Sequence, residues 1–265
     1  IQTEFDCIRF AQELTILELN IALIIMIIIE NKQLVDKVYQ MKLGGGHSPV
    51  TAPGQFVQIA LPGKFLRRPI SICDWTDDTL TLIYKVVGEG TEQMSKMAEG
   101  TELDVLGPLG NGFNVEVAKM RHPLVVGGGV GVPPLYGLTK ALLKKGCRPT
   151  VVMGFNTASE VFLYDEFKEL GIDVFVTTMD GTGGIKGVVT DAMEQNGILS
   201  DYFYCCGPRP MIEALERDTM TEGQISMEER MGCGFGACVG CTIETKNGFR
   251  RVCADGPVFL KSELV

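Results

Sequence analysis

The first part of the chain alternates apolar and polar positions over short distances. Val57 and Ile59 alternate with Gln58 and Ala60, as in a strand with one buried face, and a second strand-like run covers residues 79–87. Turn-forming residues separate such runs at 44–46, 53–54, 62–63 and 77–78. Many short strands without a long helix predict an antiparallel β-barrel over residues 24–118.

A run of nine apolar residues, 21–29, stands near the start of the chain. It is shorter than the roughly 20 residues of a membrane span, and no basic segment or small-residue cleavage site precedes it. We expect residues 24–30 to form the first barrel strand and residues 1–23 to contain an extra segment of unknown role. A membrane anchor is the less favoured alternative. An uncovered run of this kind would favour aggregation.

From about residue 121 the pattern changes to strands that alternate with helices. Such alternation predicts a parallel sheet with helices on both faces, here over residues 119–222, followed by a small module over 223–265. The expected strands are 123–126, 150–153, 173–176 and 201–205. One expected helix ends near residue 145, and three others cover residues 160–170, 190–196 and 210–220.

Composition narrows the class of protein. The chain has 265 residues, enough for two domains or a domain and a module. Its formal net charge of -9 and the absence of any basic run argue against a nucleic-acid partner. Nine cysteines in a chain of this length do not suggest a secreted disulfide framework. We therefore expect a cytoplasmic protein with reduced thiols.

Four cysteines near the C-terminus carry the most specific chemical signal. They are separated by four, two and eleven residues: Cys233, Cys238, Cys241 and Cys253. The first two intervals match the spacing that holds a [2Fe–2S] cluster in plant-type ferredoxins. The alternatives are a structural zinc site, which prefers two well-separated pairs, or disulfides. The spacing and the glycines between the cysteines favour the iron–sulfur cluster.

The predicted parallel sheet carries a glycine-rich turn that follows a strand and precedes a helix. Backbone at such a turn can approach a pyrophosphate closely, and the helix N-terminus favours its negative charge. The third glycine of the full dinucleotide motif is missing, so an ordinary strand-to-helix turn is the alternative. The residues that would bind NAD here are Gly127, Gly128, Gly129 and Gly131.

A second candidate for the nicotinamide site is the tripeptide Cys206, Gly207 and Pro208, which follows another predicted strand. Ligands bind at the carboxyl ends of strands in sheets of this type. The small, polarizable thiol of Cys206 could therefore lie against a nicotinamide ring and act in catalysis. The alternative is a buried cysteine at the start of a helix.

The predicted barrel contains two candidate phosphate cradles. Arg68 stands three residues before Ser71, so a guanidinium fork and a hydroxyl could share one phosphate. Gly90 and Thr91 stand beside a helix start and form the second cradle. Each alone also fits a turn with a solvated arginine. Nicotinamides give two electrons as a hydride and an iron–sulfur cluster takes one, so a flavin between them explains all the motifs together.

These motifs occur in the order found in the ferredoxin–NADP reductase-like superfamily. Within it, segments 227–238 and 252–259 resemble the electron-transfer subunits of bacterial dihydroorotate dehydrogenase B, and the resemblance covers residues 28–263. It implies that the four cysteines bind the cluster and that three segments bind FAD. Those segments are Arg68, Pro69, Ile70 and Ser71; Ile83, Tyr84 and Lys85; and Gly90 and Thr91.

The resemblance also implies the partner and the direction of electron flow. A separate FMN-containing subunit would oxidise dihydroorotate to orotate, and electrons would pass through the cluster and FAD to NAD+. The expected assembly is a heterotetramer. One alternative is a reductase subunit that serves ferredoxin, a sulfur reductase or a hydrogenase. Another is a non-catalytic protein that binds the cluster as a redox sensor.

The choice between NADH and NADPH is indicated by the loop after the second strand of the predicted sheet. Residues 154–159 contain no arginine or lysine. Enzymes that use NADPH usually place an arginine near this loop for the 2′-phosphate. The sequence therefore predicts NADH.

Overall fold

The computed structural model describes residues 22–45, 50–118 and 122–265. Six antiparallel strands close into a barrel in the order β1-β2-β5-β4-β3-β6, which confirms the predicted architecture. The strands are β1 (Ala22–Val35), β2 (Val38–Gly44), β3 (Phe56–Ile59), β4 (Arg68–Trp75), β5 (Thr79–Lys85) and β6 (Glu102–Leu109).

The apolar run near the start of the chain forms most of β1. Met26 and Ile28 are buried in the barrel core, whereas Ile25 and Ile27 on the opposite face are 52% and 41% exposed. Alternate side chains of a strand point to opposite faces, so only half of this apolar run is covered. In the part of the chain that the structure describes, no helix is both long and apolar enough to span a membrane.

A seven-stranded sheet follows the barrel, with the order β10-β9-β8-β7-β11-β12-β15. Its strands are parallel except for β15, which pairs antiparallel with β12. The later strands are β7 (Pro123–Gly128), β8 (Thr150–Phe155), β9 (Asp173–Thr178), β10 (Ile185–Lys186), β11 (Tyr202–Cys206), β12 (Gly223–Ser226), β13 (Thr242–Thr245), β14 (Gly248–Arg251) and β15 (Val258–Leu260).

Within the described residues, five α-helices connect these strands, and short 3₁₀ turns lie at Glu116–Ala118, Gly129–Gly131, Ala158–Glu160 and Lys261–Glu263. The helix predicted over 160–170 is shorter than expected. Leu163 has a φ of 62°, a left-handed conformation that interrupts the helix. The α-helices are α1 (Glu89–Ser95), α2 (Pro133–Lys144), α3 (Tyr164–Glu169), α4 (Val189–Gln195) and α5 (Arg209–Asp218).

Helix α2 joins the sheet to the barrel by packing against β4. A Cβ built on Gly137 would lie 2.7 Å from Trp75 Cζ3 and 2.8 Å from the carbonyl oxygen of Cys73. One turn later, Lys140 Nζ lies 2.6 Å from both carboxylate oxygens of Asp74. The strand that carries the first predicted flavin motif is therefore held directly against the first helix of the predicted NAD-binding part.

The cysteine-bearing segment packs against both larger parts. Phe56 of the barrel shares one hydrophobic core with Cys241 and Cys253 and with residues of the sheet. The sheet itself continues past residue 222 through β12 and β15, which flank the cysteines in sequence. The domain limits proposed from the sequence stay predictions.

Candidate functional site

The four candidate cluster cysteines form two pairs. Cys233 and Cys238 face each other, because the backbone N–H of each lies 3.4–3.5 Å from the sulfur of the other. The backbone N–H of Cys253 lies 3.4 Å from Cys241 Sγ. Cys241 and Cys253 are buried, whereas Cys233 is half-buried and Cys238 is exposed. A [2Fe–2S] cluster needs two thiolates at each of two irons, and this paired arrangement fits it.

All eight cysteines of the described residues are free thiols. Across residues 22–45, 50–118 and 122–265, no three His, Cys, Asp or Glu side chains already surround one point as the ligands of a single metal ion would. The assignment of the four cysteines to a cluster therefore stays a prediction at this point.

The two pairs have different electrostatic environments. Burial opposes ionisation of Cys233, but hydrogen bonds from the backbone N–H groups of Cys238, Phe235 and Ala237 outweigh it and lower its pKa to about 7. Burial, followed by the neighbouring Cys241 thiol, raises the pKa of Cys253 to about 12. Backbone donors aimed at sulfur are what a thiolate-ligated cluster uses to stabilise its negative charge.

An ion pair holds the loop that carries the more exposed cysteines, Cys233 and Cys238. Arg251 donates to both carboxylate oxygens of Asp255 at 3.1–3.2 Å and to the carbonyl oxygen of Gly236 at 3.0 Å. Hydrogen bonding to Arg251 lowers the pKa of Asp255, so the carboxylate stays charged. The segment that follows Cys253 is thereby tied to the loop between Cys233 and Cys238.

In the barrel, the structure brings two predicted flavin motifs together. The Arg68 guanidinium lies on the backbone of Gly90, since a Cβ built there would be 2.0 Å from Arg68 Nε. The Thr91 hydroxyl accepts hydrogen bonds from the N–H groups of Val87 and Gly88 and orders the start of α1. Arg68 and the Gly90 backbone thus lie together at the start of α1. That they hold a phosphate group stays a prediction.

Arg67, the neighbour of Arg68, binds a carboxylate of the barrel. Both of its terminal nitrogens donate to the Asp104 carboxylate, at 2.7 and 2.8 Å. Arg68 instead donates to the carbonyl oxygen of Leu66. Pro69, Ile70 and Ser71 follow it on β4, and all are only half-buried, which leaves this stretch accessible to a cofactor.

The remaining predicted flavin segment, Ile83–Lys85, lies on β5, but its side chains face different ways. Tyr84 belongs to the barrel core, and its hydroxyl donates to Asn31 Oδ1 at 3.2 Å. Burial raises the pKa of Tyr84. Ile83 belongs to a different hydrophobic core, the one that contains Leu135 and Leu138 of helix α2, and Lys85 is half-buried. A contact from Tyr84 to a flavin would therefore use its backbone rather than its phenol.

The two predicted NAD motifs meet at the carboxyl end of the sheet. Strands β7 and β11 are parallel neighbours, with Gly127 opposite Cys206. A Cβ on Gly131 would lie 2.3 Å from the Cys206 carbonyl oxygen, and one on Gly128 would lie 2.8 Å from Pro208 Cδ. Gly129 has open space around its Cα, and Gly207 lies against the Gly128 backbone. The glycines permit close packing of the two turns, and the turns form the edge where ligands bind in such sheets.

The Cys206 thiol stays protonated at neutral pH. Burial and, to a smaller extent, Glu228 raise its pKa, while a hydrogen bond with Ser226 lowers it, and the net value is about 12. A protonated thiol is a poor nucleophile. Cys206 therefore suits a packing contact with a ring better than a covalent role.

The loop after β8 presents acidic and neutral groups. Asn156 donates to Glu160 Oε2 from both its backbone N–H and its side-chain nitrogen, at 3.2 and 2.8 Å. Sequence reasoning noted that residues 154–159 lack an arginine but did not consider Glu160, which directly follows them. Hydroxyl groups of Thr157 and Ser159 lie 2.8 Å apart on the same loop.

Sequence reasoning also missed Gln58 on β3. Its side chain is fully buried, and neither its oxygen nor its nitrogen has a hydrogen-bond partner among the described residues. The sequence signal was its place in a strand whose other residues are apolar on both faces. That signal alone does not distinguish a solvent-facing glutamine from a functional one.

A closed antiparallel barrel followed by a parallel nucleotide-type sheet is the fold of ferredoxin reductase-like oxidoreductases. A solved structure of an NADH-dependent reduced ferredoxin–NADP oxidoreductase has a TM-score of 0.81 and 33% identity, covering 91% of this chain and 89% of its own. Phthalate dioxygenase reductase, at 17% identity, has a TM-score of 0.62 over 75% of this chain and 64% of its own, and shows the fold alone.

Two family profiles match the chain. The iron-sulfur cluster binding domain of dihydroorotate dehydrogenase B matches residues 228–265. The oxidoreductase NAD-binding domain matches residues 125–217. Together with the fold, they support the predicted cofactor set of FAD, a [2Fe–2S] cluster and NAD(H).

Two relatives in the same range of length show the family. The dihydroorotate dehydrogenase B (NAD+) electron transfer subunit of Fusobacterium nucleatum subsp. nucleatum is 44% identical over 248 residues, covering 89% of this chain and 95% of its own. The same subunit of a Geobacillus species is 44% identical over 251 residues, covering 91% and 97%. The chain belongs to this family of electron transfer subunits. It is an oxidoreductase subunit that works with a separate catalytic subunit.

Proposed function

We propose that this chain passes electrons from an FMN-containing subunit that oxidises dihydroorotate, through a [2Fe–2S] cluster and FAD, to NAD+. One observation carries the proposal. The buried pair, Cys241 and Cys253, shares a hydrophobic core with Phe56, and Phe56 pairs with Ser71 of β4. The one-electron site therefore adjoins the strand that carries the proposed flavin contacts.

The barrel residues would hold the FAD. Arg68 supplies a cation for its phosphate, and the Gly90 backbone lets that cation lie at the start of α1. Ser71 offers a hydroxyl on the accessible part of β4. When bound, a flavin supplies the exchange between one-electron and two-electron transfer that a nicotinamide and an iron–sulfur cluster require.

The sheet residues would hold the dinucleotide. The turn from Gly127 to Gly131 presents backbone to a pyrophosphate, and the turn from Cys206 to Pro208 lies beside it. The protonated Cys206 thiol would pack against the nicotinamide without reacting with it. Glu160 would repel a 2′-phosphate on the adjacent loop, which favours NAD(H).

The partner and location follow from the same proposal. A pyrimidine-synthesising enzyme of this type would be a heterotetramer of two electron-transfer and two FMN-containing subunits, in the cytoplasm. The exposed Cys238 places one edge of the proposed cluster at the surface, where a partner could exchange electrons with it.

The first test is the purified chain alone. Anaerobically purified protein should contain FAD and iron–sulfur absorbance and should reduce an artificial dye steadily with NADH. Bound cofactors without any steady NADH-dependent reduction would favour a redox sensor over an electron-transfer subunit. A Cys147→Ser variant serves as a matched control, since Cys147 lies in a buried position away from the four candidate ligands.

A second candidate is a reductase subunit that serves ferredoxin. The observation that favours it is the 33% identity with the NADH-dependent reduced ferredoxin–NADP oxidoreductase structure. The higher identity with the dihydroorotate dehydrogenase B subunits favours the first candidate. If NADH reduced purified ferredoxin through this chain faster than electrons passed from a dihydroorotate-oxidising partner to NAD+, the second candidate would be favoured over the first.

A further inference from the structure

Gln58 carries a buried amide whose hydrogen-bonding capacity the protein does not use. The side chain is fully buried, and within the described residues its Nε2 and Oε1 are the buried side-chain atoms that lack a partner. Buried polar groups are almost always hydrogen-bonded, because leaving one unpaired costs its full desolvation free energy. An amide in this state points to a partner outside the described protein groups.

The position of Gln58 in β3 directs its side chain away from the barrel core. Val57 and Ile59 belong to that core, whereas Phe56 belongs to the core that contains Cys241 and Cys253. Successive side chains of a strand alternate between faces, so Gln58 lies on the same face as Phe56. Gln58 therefore projects toward the cysteine-bearing segment.

The nitrogen end of the amide leads toward the cysteines. A Cβ built on Gly234 would lie 2.0 Å from Gln58 Nε2, 2.6 Å from Cδ and 3.1 Å from Cγ. Gly234 follows Cys233 directly and has a φ of 80°. Only a glycine permits this approach, so the loop is shaped to admit the amide beside a proposed cluster ligand.

We propose that Gln58 donates a hydrogen bond from Nε2 to a sulfide of the iron–sulfur cluster held beside Cys233. This inference rests on the proposed function, since it assumes that the four cysteines hold a [2Fe–2S] cluster. The amide is then a positioning residue that sets the reduction potential. Reduction adds negative charge to the cluster, and a donor to sulfur stabilises that charge.

The test is the midpoint potential of the cluster in the full, cofactor-loaded chain, measured by redox titration with EPR detection. Gln58→Met keeps length and apolar packing but removes the donor. At a fixed solution potential, the ratio of reduced to oxidised cluster should fall roughly tenfold, equivalent to about 59 mV for a one-electron couple. Gln58→Leu also lacks the donor, so its potential should fall by a similar amount.

Gln40→Met is the matched control. Gln40 lies on β2, where its amide donates to Glu30 Oε2 at 2.9 Å. Its removal should leave the cluster potential unchanged. The flavin potentials are titrated in the same samples by visible absorbance, and they should stay unchanged in all variants.

Two results would overturn the role of Gln58. An unchanged cluster potential in both Gln58 variants would show that the amide donates to no sulfur. A shift confined to the flavin potentials would show that the amide serves the flavin instead. If the wild-type chain gave no [2Fe–2S] EPR signal, the proposed function itself would fail, and that outcome is recorded before any variant is compared.

Discussion

Two adjacent arginines in the barrel have separate roles. Arg67 is held by Asp104 of β6 through two hydrogen bonds, whereas Arg68 lies on the Gly90 backbone at the start of α1. Its spacing to Ser71 already selects Arg68 in the sequence. The structure adds why Arg67 is not available, because the partner of Arg67 comes from a strand 37 residues later.

The cradle formed by Arg68 and Gly90 gives a test at the level of one residue. Gly90→Ala would place a methyl group 2.0 Å from Arg68 Nε and displace the guanidinium. A charge-assisted hydrogen bond contributes about 1.5–3 kcal/mol, so FAD should bind roughly tenfold more weakly or worse. Fluorescence titration of released flavin measures this.

Arg68→Ala should weaken FAD binding similarly, and the double variant should be little worse than either single one, because both changes remove the same contact. Arg217→Ala removes an exposed arginine that is paired with Asp218, and it serves as the control. Stoichiometric FAD retained by Arg68→Ala after gel filtration would show that Arg68 does not hold the phosphate.

Cys238→Ser tests the cluster assignment. The thiolate is the ligand, so the iron–sulfur absorbance should disappear while FAD and NADH-dependent dye reduction remain. Cys147→Ser should keep the absorbance. An unchanged iron–sulfur spectrum in Cys238→Ser would contradict the assignment of Cys238 and of Cys233, which is paired with it.

We expect the loop after β8, together with Glu160, to set the cofactor preference. In the proposed site, the 2′-phosphate of NADPH would lie near this carboxylate, and no lysine or arginine occurs in residues 154–159. We expect kcat/KM for NADH to exceed that for NADPH by roughly tenfold or more, which corresponds to about 1.4 kcal/mol. Steady-state dye reduction with each nucleotide measures the ratio, and equal values would refute the preference.

At the scale of elements, helix α2 and strand β4 set how the proposed flavin and nucleotide parts meet. In an exposed helix, Gly→Ala stabilises by about 1 kcal/mol. Gly137→Ala should do the reverse, lowering the free energy of unfolding by about 1–3 kcal/mol, because its Cβ would contact Trp75 and the Cys73 carbonyl.

Denaturant unfolding measures this change, with Lys144→Ala at the exposed end of α2 as the control. A stabilised Gly137→Ala variant would show that α2 and β4 are not packed as described. Loss of dye reduction at unchanged stability would indicate a direct catalytic role instead.

The sequence predicted most elements because their periodicities are local. It did not predict the break at Leu163, whose left-handed backbone nothing in the flanking residues indicates. It also did not predict that β12 and β15 would extend the sheet on either side of the cysteines. Strand pairing across about 30 residues depends on tertiary packing, which periodicity does not encode.

Some residues of the candidate site could likewise be predicted from the sequence, and others could not. The cysteine and glycine motifs could be predicted, because their chemistry depends on spacing along the chain. The contact of Arg68 with Gly90 and the unpaired amide of Gln58 could not, because each depends on residues distant in sequence. A buried glutamine becomes informative only when its possible partners can be counted.

At the scale of the whole molecule, three parts meet around the barrel strands β3 and β4. The sheet reaches β4 through α2, and the cysteine segment reaches β3 through Phe56 and Gln58. A flavin held on β4 would therefore lie between a nucleotide site and a one-electron site. This arrangement is what electron transfer between a partner subunit and NAD+ requires.

Reconstitution with the partner tests this account most directly. The anaerobically purified chain is mixed with the FMN-containing dihydroorotate dehydrogenase subunit of the same organism, dihydroorotate and NAD+ are added, and NADH absorbance is followed. We predict NADH formation that requires both proteins and is lost with Cys238→Ser. No NADH formation, with FAD and cluster both intact, would contradict the account and indicate a reductase with a different partner.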